Sequence, residues 1–172
     1  MLSPRKWKFL ENFKLGPEGS YVYTGETYSL KADYKKAYLI FVVFGVSLAL
    51  CVIGSGLINA AGMNNTFYVI LPYIAEVISL FVILWSNIKL VYAGEKVRAY
   101  VYEPARHRIP EGTLALSVFS AASLLGSAVF TVLHGFEGKM LLCIVFWLLK
   151  VLTVLLSLAF NRFFKKKEWV KL

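Results

Sequence analysis

Four stretches of this sequence, residues 38–60, 67–90, 113–133 and 140–160, run almost without charge, and no other feature so narrows what the chain can fold into. A helix rising about 1.5 Å per residue needs roughly 20 apolar residues to cross the hydrocarbon of a bilayer, and each stretch reaches that length. Inside a bilayer every backbone N–H and C=O must be satisfied by the protein itself, so only helices and closed barrels span it. Barrel strands would alternate apolar and polar residues over segments of about ten, and these runs do not. A chain of 172 residues that is 58% hydrophobic and 16% aromatic is also too apolar for a soluble domain. The expected fold is an all-α membrane protein of four transmembrane helices.

Basic residues orient it. The arm before the first run, the loop 91–112 and the tail 162–172 hold nearly all the lysines and arginines, whereas the opposite side holds Lys139 alone. The positive-inside rule then makes both termini and the central loop cytoplasmic. The chain divides into a cytoplasmic arm (1–37), the bundle (38–161) and a basic tail (162–172). The first thirty residues contain no unbroken apolar core of a signal peptide, so the first span is expected to serve as its own address. The net charge of +9 is accounted for by topology and by anionic inner-leaflet lipids, with Lys6, Trp7, Lys8, Arg162, Lys165, Lys166, Lys167 and Trp169 as headgroup contacts. No nucleic-acid module surrounds that charge, so no nucleic acid is expected as a partner. A bacterial inner (plasma) membrane suits this composition, and a eukaryotic membrane would satisfy the same rules.

The segments outside the runs have some pattern. Residues 2–14 place Leu2, Phe9, Leu10 and Phe13 on one helical face, which predicts an interfacial helix; an arm whose aromatics pack on its own protein is the alternative. YVYTGETYSL suggests a short hairpin about Thr24-Gly25 or an extended strand, and VRAYVYEP alternates, so the two could pair as a short cytoplasmic β-hairpin or small sheet. The competing reading carries span two as a helix to Tyr102, where Pro104 stops it.

Besides Lys89 at the inner edge of span two, two charges lie deep inside the runs: Glu76 in span two and Lys150 in span four. Both spans run from outside to inside and both residues lie about ten positions in, roughly 14–15 Å deep, so they are level and expected to pair. Ser79 and Asn87 share the face of Glu76, and Thr153, Ser157 and Asn161 that of Lys150, giving each helix a polar seam. The two seams superimpose at an offset of 74 positions, which hints at a parallel repeat of two helical hairpins. Spans one and three carry small residues for helix packing: Gly45, Ala49 and Gly56, then Ala122 and Gly126. Pro72, one turn outward of Glu76, frees a carbonyl of span two.

Catalytic sets are lacking. His107 and His134 fall on opposite sides of the membrane, Cys51 and Cys143 form no ligand motif, and no metal or other cofactor is expected. The favoured expectation is a non-enzymatic accessory, regulatory or scaffold subunit of a larger membrane complex, held by a structural Glu–Lys pair and partnered by other membrane subunits or a second copy. A small proton- or ion-coupled transporter using Glu76 and Lys150 is the alternative, and a lipid-modifying enzyme comes third.

Overall fold

The structure, a computed structural model, describes residues 12–15, 20–31 and 33–172. Four helices occupy the apolar runs, α1 (Tyr34–Leu57), α2 (Phe67–Ala93), α3 (Ala99–His134) and α4 (Met140–Lys165). All four are long and apolar enough to cross a membrane. Each packs on its neighbour in sequence and α1 closes against α4, so α2 and α4 stand diagonally opposite.

The helix ends follow from local chemistry. Asp33 caps α1, its carboxylate accepting the backbone N–H of Lys35 at 3.1 Å and of Lys36 at 3.4 Å. Beyond α1 the chain turns through Ala61 and Gly62 at positive φ. There Asn64 Nδ2 donates to Gly56 O at 3.2 Å and Ile58 O at 2.7 Å, satisfying carbonyls that the helix end leaves open. Gly94, at φ 73°, ends α2. Its carbonyl accepts Tyr38 Oη at 2.7 Å, which ties α1 to this turn.

A small sheet lies at the end of the bundle that carries the tail. Strand β3 (Thr27–Leu30) sits between β4 (Val97–Arg98) and β5 (Trp169–Lys171), antiparallel to both, with Tyr28 opposite Val97 and Lys171. A separate hairpin joins β1 (Phe13–Leu15) and β2 (Tyr21–Tyr23). A sheet is thus present, but no hairpin forms about Thr24-Gly25. The backbone after that bend is taken by other segments: Glu26 O accepts Ala99 N and Thr27 O accepts Leu172 N, both at 2.9 Å. Lys171 Nζ and Tyr28 Oη donate to the Glu26 carboxylate. These bonds hold the Glu26 carboxyl below its ordinary range and the Lys171 ammonium above its own.

Three further expectations are corrected. Of the helix expected over 2–14, residues 2–11 lie outside the described residues, and Phe13 and Lys14 belong to β1. The loop expected over 91–112 is mostly helix, since α3 begins at Ala99 and runs through both Pro104 and Pro110. Nor does α2 continue to Tyr102. The carbonyls that these prolines free belong to Tyr100 and Arg106, exposed residues at the helix entrance. Thr113 Oγ1 also bonds Ile109 O and Pro110 O, each at 2.9 Å, which steadies the turn after the second proline.

Near the sheet the bundle is held by rings. Phe41, fully buried, lies 5.8, 5.9 and 5.6 Å from the ring centroids of Phe160, Phe163 and Phe164, and Phe44 stacks on Phe160 at 5.1 Å. In lipid, apolar burial gives helices no drive to associate, so such close packing carries the α1–α4 contact. Each well-placed ring pair adds about 0.5–1.5 kcal/mol beyond its area.

Candidate functional site

The two intramembrane charges meet. Lys150 Nζ donates to both Oε1 and Oε2 of Glu76 at 2.8 Å, and neither side chain has any exposed surface. The bond crosses the diagonal between α2 and α4, a gap that two long side chains can close where backbones stand apart. Around the ammonium lie the rings of Tyr73 and Phe146, with centroids at 4.9 and 5.1 Å. Ser123 of α3 is buried beside the carboxylate. Chemically the couple can hold opposite charges at mid-membrane. A proton moved from Lys150 to Glu76 would discharge both at once.

The flanking seams are buried as well, but they face different neighbours. Ser79 Oγ and Thr153 Oγ1 bond carbonyls of their own helices, Ala75 O and Leu149 O, at 2.8 Å. Asn87 Nδ2 donates to Phe41 O of α1 at 2.7 Å. Asn161 Nδ2 donates to Pro110 O at 2.8 Å and Thr113 Oγ1 at 2.7 Å, and Ser157 shares a 2.6 Å hydrogen bond with Ser117, all toward α3. Each asparagine therefore clamps a carbonyl of the helix preceding it, as the 74-residue offset suggests. Among the described residues, hydrogen bonds join the two seams only at the Glu–Lys pair.

What sequence reasoning missed is the partner face on α3. Thr113, Ser117, Ser120, Ser123, Ser127 and Thr131 are all buried, at helical spacing on one face. Ser120 Oγ donates to Lys150 O at 3.4 Å and Trp147 Nε1 to Ser127 Oγ at 3.0 Å. The spacing is present in the sequence, where serine and threonine at helical intervals also read as small packing residues.

The packing glycines all grip α2. A side chain at Gly56 would strike the Tyr73 hydroxyl, one at Gly45 would meet Asn87 Nδ2 at 3.0 Å, and one at Gly126 would strike the carbonyl of Tyr68. Tyr68 O is the acceptor that Pro72 leaves without its helical N–H, so Gly126 lets α3 lie directly against the freed carbonyl. Ala49 and Ala122 are half-buried. Of the headgroup candidates, Lys6, Trp7 and Lys8 lie outside the described residues. Arg162, Lys165 and Lys166 are exposed, Lys167 lies over the Phe163 ring at 4.3 Å, and Trp169 packs on Tyr102 at 4.8 Å. Cys51 and Cys143 are free and buried.

Comparison with protein-family models, with curated proteins and with solved structures finds no match. The four apolar helices and the buried pair fit a small membrane protein.

Proposed function

We propose that this chain is an accessory or scaffold subunit of a larger membrane assembly, with Glu76–Lys150 as the lock that fixes its own bundle. The observation that carries this reading is a groove of about 290 Å³ on the outer face between α1 and α2. Val42, Val46, Leu84 and Val91 wall it, and Gly45 and Asn87 line it too. Asn87 is buried there with an Oδ1 that no described residue hydrogen-bonds. A small-residue floor and an unmet acceptor at membrane depth suit one more helix, presenting a serine or threonine. The sealed ion pair agrees, because a carrier needs a route by which its charge is reached. The positive-inside bias supports cytoplasmic termini, and the composition suits a bacterial plasma membrane.

A second reading, coupled transport of a proton or small ion, draws on the buried hydroxyl face of α3 beside Glu76 and Lys150. One experiment separates the two. The subunit reading expects the chain, extracted from its native membrane in mild detergent, to migrate with defined heavier polypeptides. Val46→Trp should release it, while Leu155→Trp, on the exposed face of α4, should not. A chain that migrates alone or only with itself, and drives proton-dependent flux in liposomes that Glu76→Gln abolishes, would replace the subunit by a transporter.

A further inference from the structure

A second cleft, of about 580 Å³, opens between the inner end of α2 and the start of α3. Its charged lining is wholly cationic: Lys89, Lys96, Arg98 and Arg108. The ion pairs among the described residues engage Lys31, Lys36, Lys150 and Lys171, so these four cations have no carboxylate partner there. Lys89 closes the apolar run 67–90 and Arg108 lies about a turn before the run 113–133 begins, so both stand where hydrocarbon gives way to headgroups. The remaining walls are apolar, with Trp85, Ile88, Val101 and Pro104, while buried Ser86 also lines the cleft. Lys89 Nζ is set 4.7 Å from the Trp85 ring centroid, and Arg98 Nη1 donates to Tyr100 Oη at 3.3 Å.

We propose that this cleft holds one anionic phospholipid, its phosphate among Lys89, Arg98 and Arg108 and its first methylenes against Trp85, Ile88 and Pro104. Unpaired cations at the headgroup level call for phosphate, and the apolar wall running from them into the membrane calls for a chain attached to it. A free phosphate would leave that wall unused. The other basic cavity at this end, about 530 Å³ and lined by Arg106, His107, Lys165 and Lys167, differs in including the Glu111 carboxylate and in being walled by Tyr28 and Trp169 of the sheet. It serves as the internal control, lying on the other flank of the same helix. The proposal does not depend on the subunit reading.

The test uses the full chain, purified in detergent and analysed by native mass spectrometry with dioleoyl phosphatidylglycerol, dioleoyl phosphatidylcholine or glycerol 3-phosphate added. One phosphatidylglycerol should be retained about tenfold more strongly than phosphatidylcholine. Lys89→Gln with Arg108→Gln should bring it to the phosphatidylcholine level, whereas Arg106→Gln with Lys165→Gln should leave it bound. All four residues are exposed, so both variants should keep the wild-type melting temperature. Equal retention of the two lipids, equal loss in the two double variants, or full displacement by glycerol 3-phosphate would overturn the proposal.

Discussion

A lysine at the middle of a membrane helix costs about 2.5–3.5 kcal/mol on insertion scales, and Lys150 meets that cost by engaging both oxygens of Glu76. Desolvation offsets most of the attraction, so the pair adds little net stability, yet either member alone is a stranded charge. Glu76→Leu or Lys150→Met should therefore each destabilise the bundle by about 3–5 kcal/mol, while the two together return the melting temperature in detergent close to wild type. A double variant as unstable as the singles would mean that Ser123, Tyr73 and Phe146 require the charges themselves. Gly126 offers a different residue-scale test. An added methyl there meets backbone, the Tyr68 carbonyl, whereas at Gly56 it meets the movable end of Tyr73. Gly126→Ala should cost about 1–3 kcal/mol by overpacking and Gly56→Ala less, as thermal unfolding of the two variants would report.

At the scale of elements, what could be read in the sequence was what lipid dictates. Apolar length located all four helices, because no other structure satisfies so long a backbone in hydrocarbon. Equal depth brought Glu76 to Lys150, because isolated charges there are the costlier alternative. Outside the membrane the physical constraint weakens and the reading weakens with it. The sequence reads 91–112 as a loop, yet the carbonyls that Pro104 and Pro110 free lie at an exposed helix entrance, where loss of a helical bond costs little. The strand at Trp169–Lys171 gave no alternation long enough to notice, and its pairing with Thr27–Leu30 joins segments more than a hundred residues apart. The hydroxyls of α3 were hidden for another reason: serine at helical spacing reads equally as a small packing residue and as a polar contact, and only the facing Lys150, Ser157 and Asn161 decide which.

At the scale of the whole molecule, the sheet, the basic clefts and the tail gather at one end of the bundle, while the turns Ala60–Asn65 and after His134 occupy the other. Carrying so many cations across a bilayer is far costlier than carrying the turns, whose charges are Glu137 and Lys139, so insertion should leave the sheet end on the cytoplasmic side. Nothing in the bundle's internal packing requires that choice. Cysteine labelling can read it directly, because Cys51 and Cys143 are buried and should give no background. In intact cells an impermeant maleimide should label Lys139→Cys and spare Lys166→Cys, and inverted vesicles should reverse the pattern. Labelling of Lys166→Cys from outside would place the sheet beyond the cytoplasm and turn the proposed phospholipid cleft toward the outer leaflet, where anionic lipid is scarcer.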